Sequence, residues 1–141
     1  MESDNKQSVF DVDAEIRLLP ETADTMLADK YFLDKESASS RIFRIYREVP
    51  LHYHNECDEN LYVVSGRGTF HLDGQEYEAR PGMFLCFEKK KVHGFPAVTE
   101  HPLVVLAIDV PRRRPDDIVF VDPASGSAET FMARNARTAK E

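Results

Sequence analysis

The sequence predicts an all-β fold, and two features of its 141 residues support that prediction. Short segments rich in β-branched and aromatic residues recur along most of the chain. Turn signals containing Gly, Pro or Asp separate them at intervals of about ten residues. Many short strands between frequent turns indicate a sandwich or a barrel, because closing or doubling a sheet limits its exposed edges.

The predicted strands follow one another from Arg41 onwards. In order, their sequences are RIFRIYREV, LYVVSG, TFHL, QEYEA, PGMFLCF, PLVVLAIDV and DIVFVDP. Asp73-Gly74 separates the third from the fourth and is a strong signal for a two-residue hairpin. Short strands are also expected in the first forty residues, although 22–29 fit a turn of helix equally well. After Ser127, a Ser N-cap with a nearby Glu predicts a short C-terminal helix.

A chain of this length is expected to form a single domain with one core. We divide it into a flexible N-terminus, residues 1–12, a barrel domain, residues 13–123, and a tail, residues 124–141, that is helical in part. The segment that carries the strongest motifs is 41–110.

The net charge of −7 and the pI near 5.2 argue against a general nucleic-acid binder, which needs concentrated Lys and Arg. The one dense basic run, PRRRP at 111–115, is interpreted as a solvated loop. We find neither a signal-peptide pattern nor an apolar stretch long enough to span a bilayer. Cys57 and Cys86 do not form a disulfide framework. A cytoplasmic protein without nucleic-acid or membrane partners is therefore expected.

The chemistry is predicted to lie around two histidines in LHYHNECDEN, residues 51–60. In a strand, side chains two apart share a face, so His52 and His54 can converge on one ion. Glu59 shares a face with apolar residues of the next strand, and a buried acid needs a hydrogen bond, an ion pair or a metal. His93 lies at the end of another strand and is a fourth candidate.

These residues fall into two motifs. The first is His52-x-His54, four residues, Glu59, six residues and Gly66; the second is Pro81-Gly82 and ten residues to His93. Both resemble the motifs of the cupin superfamily. The resemblance implies a small jelly-roll barrel in which His52, His54, Glu59 and His93 bind one divalent metal. Tyr46 replaces a glycine usual in the first motif, and Lys89–Lys91 replace a turn usual before the last histidine.

Three neutral imidazoles and one carboxylate would leave a divalent ion with a net charge of about +1 and, if octahedral, roughly two open positions. Such ligands suit Fe(II), Mn, Ni, Co or Zn, and Fe(II) is favoured. The expected substrate is a small oxygen-bearing molecule, and anionic or enolisable ones fit the charge. No general acid or base is assigned from the sequence.

The resemblance implies a metal-dependent enzyme, and we favour an Fe(II) dioxygenase or a related oxidoreductase. The alternatives are a metal-dependent isomerase, lyase or decarboxylase, and a sensory or small-molecule-binding cupin without catalysis. A homodimer is expected, because cupins commonly pair their barrels. Lys89–Lys91 face either solvent or an anionic substrate. Candidates for lining the pocket are Arg44, Tyr46, Leu61, Val63, Phe70, Phe84 and Cys86.

Overall fold

The computed structural model describes residues 7–134 and 136–137. Within them are two helices, α1 (Val12–Leu18) and α2 (Ala128–Arg134), and a 3-10 turn, Pro123–Ser125. The strands of this part of the chain are β1 (Leu27–Asp34), β2 (Ser39–Ile45), β3 (Val49–Tyr53), β4 (Asp58–Leu72), β5 (Gln75–Ala79), β6 (Phe84–Phe87), β7 (His93–Val110), β8 (Val119–Phe120) and β9 (Ala136–Arg137).

Two long strands, β4 and β7, pair with each other and contribute to two sheets. In the first sheet, β6 pairs with the start of β4, whereas the end of β7 pairs with β2, and β2 with β1. In the second sheet, β5 pairs with the end of β4, whereas the start of β7 pairs with β3, and β3 with β8. These pairs are antiparallel, and β9 adds to β1 in parallel. The result is the predicted jelly-roll barrel.

Glycine is required where β4 passes from one sheet to the other. Gly66 has a φ of +82°, and a Cβ there would lie 2.2 Å from the carbonyl oxygen of Pro102 on β7. The β4–β7 register shifts around this point. The strand can bend here because nothing larger than hydrogen occupies the gap.

The predicted hairpin at Asp73-Gly74 is confirmed, since it joins β4 to β5 with positive φ at both residues. The same paired φ values are typical of the turns that match the twist of two-residue hairpins.

The space between the two sheets is filled by large apolar side chains from both. Members of this core are Phe43, Leu61, Val63, Phe70, Leu85, Phe87, Phe95, Leu103 and Val105. A second cluster lies on the outer face of the first sheet, where Leu19, the residue after α1, and Ile16 of α1 cover Ile42 and Val104. Because this outer face is covered, the first sheet has apolar residues on both of its faces.

The N-terminal region differs from the prediction. Residues 12–18 form a helix that begins at Asp11, whose carboxylate accepts a hydrogen bond from the Ala14 amide. The ambiguous segment 22–29 includes the start of β1. Of the predicted flexible terminus, residues 1–6 lie outside the described part of the chain.

The C-terminal helix is confirmed as α2, and residues 135 and 138–141 of the predicted tail lie outside the described part. No helix among the described residues has the length and apolarity needed to cross a bilayer.

Candidate metal centre

The three predicted histidine ligands meet inside the barrel although they come from separate strands. His52 on β3 is the direct register partner of His93 on β7. His54 follows β3 at its end. All three side chains are buried, with exposed fractions of 6%, 2% and 1% for His52, His54 and His93. One nitrogen from each ring lies within 4.8 Å of those of the other two.

The tautomer of each ring is set by a backbone carbonyl. Nδ1 lies 2.7 Å from the Pro50 oxygen in His52, 2.7 Å from the Asp117 oxygen in His54 and 2.9 Å from the Lys91 oxygen in His93. A carbonyl can only accept, so each Nδ1 carries the proton and donates it. In a neutral ring the inward Nε2 atom is then a bare lone pair, which is the state that metal-binding histidines need.

The surroundings of His52 and His54 favour the neutral state of these two rings. Burial lowers the pKa of His52 well below its usual range, and the neighbouring imidazoles lower it further. Burial also lowers the pKa of His54, although Glu59 opposes this. The buried Nε2 of His93 makes no hydrogen bond of good geometry. The cluster thus presents unprotonated nitrogens with no donor of its own.

Glu59 projects from β4 into the same cluster. Its Oε1 lies 3.2 Å from Nε2 of His54 and 3.3 Å from Nε2 of His93. Burial alone would raise the pKa of Glu59, but the charged and polar groups around it, Arg41 among them, keep that pKa well below its usual range, so the carboxylate is ionised. Lone pairs of a carboxylate and of bare imidazoles at these distances repel unless a cation lies between them. The donor set therefore fits a divalent metal, which binds such nitrogens and carboxylates.

The second oxygen of Glu59 is held by a buried arginine. Nη2 of Arg41, on β2, lies 2.7 Å from Oε2 of Glu59. The same guanidinium donates through Nε and Nη2 to Asp109, at 3.0 and 3.2 Å, and lies 3.8 Å from Asp29. Burial alone would lower the pKa of Arg41, but Asp109 and Glu59 raise it. This network orients Glu59 so that Oε1 faces the histidines.

The cavity next to the cluster is small, with a free volume of about 30 Å³. Besides His52, Glu59 and His93, the residues around it are Arg41, Arg113, Leu27, Phe43, Val49, Leu61, Phe95 and Phe131. Phe131 belongs to α2 and packs on Phe120, with ring centroids 6.1 Å apart. The C-terminal helix therefore helps to close this end of the barrel.

The structure places the residues predicted to line the pocket in different surroundings. Leu61 lines the cavity, and Val63 and Phe70 lie in the adjoining core. Phe84 is 60% exposed and Cys86 is also exposed, because β6 turns its alternate residues, Leu85 and Phe87, inward.

Arg44 and Tyr46 do not reach the cavity either. They line a separate surface groove, where both hydrogen-bond the Pro20 carbonyl. On β2 the inward positions are Arg41, Phe43 and Ile45, and the register shift in β3 resets the alternation before His52. The strand period was therefore lost across the turn at Val49-Pro50.

The three lysines support the site through their backbone. All three are exposed. The Lys90 amide donates to the His54 carbonyl at 2.7 Å, and the Lys91 carbonyl accepts from His93. Lys90 has a φ of +68°, which tightens the turn. Asp117 has a similar role on the other side, since its carboxylate accepts from the Asn55 and Glu56 amides.

Sequence analysis missed Arg41, Asp109 and Arg113. Arg41 and Asp109 occupy inward positions of apolar strands, so alternation could have identified them as buried charges. Arg113 belongs to the run interpreted as a solvated loop, but it is 4% exposed, which corrects that interpretation for this residue. Its loop position carries no periodic signal that could have revealed the burial.

A family model described as a cupin domain matches residues 46–109. An uncharacterized protein of Methanocaldococcus jannaschii, MJ1618, is 26% identical over 88 residues, which cover 62% of this chain and 70% of that protein.

Two solved structures have a similar fold. A Klebsiella pneumoniae protein with a double-stranded β-helix domain has a TM-score of 0.67 and 15% identity, with 82% of this chain and 98% of that chain covered. Pac13 of Streptomyces, described as a nucleoside dehydratase, has a TM-score of 0.51 and 19% identity, with 62% and 70% covered. The cupin-domain match over residues 46–109, the double-stranded barrel and the inward histidine cluster agree with one another and support the cupin superfamily.

Proposed function

We propose that this protein is a metal-dependent enzyme that acts on a small oxygen-bearing substrate, with His52, His54, Glu59 and His93 as the metal ligands. The observation that carries the proposal is the shared tautomer of the three histidines. Each Nδ1 faces a carbonyl, so the Nε2 atoms and Oε1 of Glu59 form a buried set of acceptors without a donor. A divalent ion would supply Lewis acidity at a coordinated substrate oxygen and, as Fe(II), a route for reaction with dioxygen.

The residues around the cavity favour oxidative chemistry. Apart from the proposed ligands, the described side chains that line it are two arginines and six apolar residues. An isomerase, lyase or decarboxylase commonly needs a side chain that moves a proton to or from carbon. A dioxygenase needs instead a dry site in which dioxygen, the oxidant, and the substrate meet, and both oxygen atoms enter the product. We therefore place an Fe(II) dioxygenase first.

The chain's own residues supply orientation and exclusion of water. Arg41 holds one oxygen of Glu59, and the carbonyls of Pro50, Asp117 and Lys91 hold the imidazoles. Phe95, Phe131 and Leu61 are among the apolar residues that line the cavity. A rigid ligand set in apolar surroundings is the arrangement that limits side reactions of reactive intermediates.

The first experiment is elemental analysis of protein purified without added metal. We expect about one divalent ion per chain, with iron as the main species, and a large loss in His52→Ala and in His93→Ala. His101→Ala is the matched control because His101 is exposed and lines a separate surface groove. Unchanged metal content in both cluster variants would contradict the ligand assignment.

The second experiment measures dioxygen uptake by Fe(II)-loaded protein with a panel of small diketones, phenols and thiols. Uptake with at least one of them is expected. Product formation under anaerobic conditions would instead support a lyase or isomerase, the alternative favoured by the likeness to the nucleoside dehydratase Pac13. Binding without turnover would support a sensory or small-molecule-binding protein.

We also propose a homodimer in the cytoplasm. The outer face of the first sheet exposes apolar side chains next to one another on β6, β4 and β7, among them Phe84, Tyr62 and Ile108. Helix α1 does not cover this part of the face, so a second copy of the chain could pack against it. Light scattering is expected to give twice the chain mass, and a value near 16.1 kDa would contradict the dimer.

A further inference from the structure

Resting on the proposed function, we propose that Arg113 binds the carboxylate of a small anionic substrate beside the candidate metal centre. Arg113 follows β7 and lines the same cavity as His52, Glu59 and His93. The proposal names a substrate class and a specificity-determining residue that the ligand set alone does not provide.

The guanidinium of Arg113 is buried without a counterion. Only 4% of the residue is exposed, and its Nε makes no hydrogen bond. Within residues 7–134 and 136–137, the one recorded partner of the guanidinium is the Arg114 carbonyl, and no carboxylate lies within ion-pair distance. The flanking arginines differ, because Arg112 pairs with Asp34 and Arg114 with Glu36.

The backbone holds this residue in place. The Arg113 amide donates to Ser39 Oγ at 2.9 Å, and that hydroxyl donates in turn to Asp109 at 3.0 Å. The hydroxyl of Tyr31 donates to the Arg113 carbonyl at 3.3 Å. The position is thus built into the same network that orients Arg41, and it is not a loop free to swing into solvent.

A buried cation without a partner is costly, and a ligand carboxylate is the group that would offset the cost. The planar fork of an arginine matches both oxygens of a carboxylate. A ligand that carries an oxygen atom on the carbon next to its carboxylate could direct the carboxylate to Arg113 and that oxygen to the candidate metal centre at the same time. The ligand class is therefore a 2-hydroxy or 2-oxo carboxylate, and the small cavity favours the smallest members.

The test uses Zn(II)-loaded full-length protein, which does not turn over by oxidation, and isothermal titration with glycolate and its neutral analogue glycolamide. Glycolate is expected to bind more tightly than glycolamide. Arg113→Gln should weaken glycolate by ~10-fold or more, in line with the loss of a charge-assisted hydrogen bond. It should leave glycolamide unchanged, and Arg112→Gln is the matched control that should leave both unchanged.

Azide on Co(II)-loaded protein separates the two ways of failing, because it reports access to the metal without needing a carboxylate site. If the metal loads and azide changes the Co(II) spectrum, but Arg113→Gln binds glycolate as wild type does, the Arg113 proposal is overturned and the metal site stands. A chain that takes up no metal overturns both proposals.

Folding of the variant is checked by circular dichroism. If Arg113→Gln does not fold, Arg113→Lys keeps the charge and removes the fork, and it should weaken glycolate by a smaller factor. Equal binding of glycolate and glycolamide by wild type would overturn the proposal whatever the variants do.

Discussion

Arg41 and Arg113 border the same buried cavity but have opposite surroundings. Arg41 contacts three carboxylates, those of Glu59, Asp109 and Asp29, whereas the guanidinium of Arg113 pairs with no carboxylate among the described residues. Burial is nearly equal, at 5% and 4% exposed. Burial of a charge therefore does not by itself define its role, since Arg41 stabilises buried carboxylates of the protein, whereas Arg113 is proposed to bind the carboxylate of a ligand.

The largest expected effect separates the two arginines by stability. In metal-free protein, Arg41→Met should lower the free energy of unfolding by about 3–5 kcal/mol, because it leaves buried carboxylates unpaired. Arg113→Met should leave it unchanged or raise it by on the order of 1 kcal/mol, because it removes an unpaired buried cation. Urea denaturation measures both. A large loss in Arg113→Met would mean that its guanidinium has an internal partner.

A second effect concerns metal affinity. Arg41→Lys keeps the charge but loses the fork that joins Glu59 to Asp109, so Glu59 should be less well oriented. Metal affinity should fall by about 10–100-fold, as is typical for residues that support a ligand. Arg113→Lys should change it little, and competition with a chromogenic chelator measures the difference. Equal losses of metal affinity in Arg41→Lys and Arg113→Lys would contradict the different roles assigned to the two arginines.

The pH dependence of metal-free stability sharpens the comparison further. Burial lowers the folded pKa of His52 and His54, so below about pH 6.5 the unfolded imidazoles bind protons that the folded ones do not. Stability should therefore be fully present above that pH and decrease as the pH falls through this range. The charge of Arg113 contributes to the lowered pKa of His54.

Arg113→Met should accordingly lose less stability than wild type between about pH 7.5 and 5.5, since its His54 pKa moves back toward the unfolded value. Urea midpoints at each pH provide the measurement, and Arg112→Gln is the control. A steeper decline in Arg113→Met would show that the guanidinium does not act on His54.

The smallest expected effect is a difference in thiol reactivity between a cysteine inside the barrel and one on its surface. Burial raises the pKa of the Cys57 thiol to about 12, whereas Cys86 is exposed on β6. Iodoacetamide at neutral to mildly alkaline pH should label Cys86 alone in the native protein and both thiols after denaturation. Cys86→Ser should then show no native labelling, and rapid labelling of Cys57 in that variant would contradict the burial.

Local pattern was sufficient for most of the fold. Alternation predicted that Glu59 shares a face with the apolar residues of its strand, and the structure agrees, since Glu59, Leu61 and Val63 are all buried on β4. Helix α1 was not predicted, although the sequence contains its N-cap residue, Asp11, and the helical spacing of Val12, Ile16 and Leu19.

The candidate site shows the same division. The spacing of the two motifs identified His52, His54, Glu59 and His93, which the fold brings together. Alternation carried across a turn misplaced Arg44 and Tyr46, because one shift in register moves every side chain to the other face. On β6, a fully apolar sequence could not indicate that Phe84 and Cys86 point outward.

Strand periodicity and turn chemistry were enough to predict an all-β fold and its hairpin, and the resemblance of the two motifs to those of cupins added the jelly-roll barrel and the four proposed ligands. Which charges lie next to those ligands depends instead on the tertiary structure. Arg41 donates hydrogen bonds to Glu59 and Asp109, which lie 18 and 68 positions away in the sequence. Arg113 lies in the loop after β7 and is buried beside the same cavity. Long-range pairing of this kind arises from packing across the two sheets, and no local pattern encodes it.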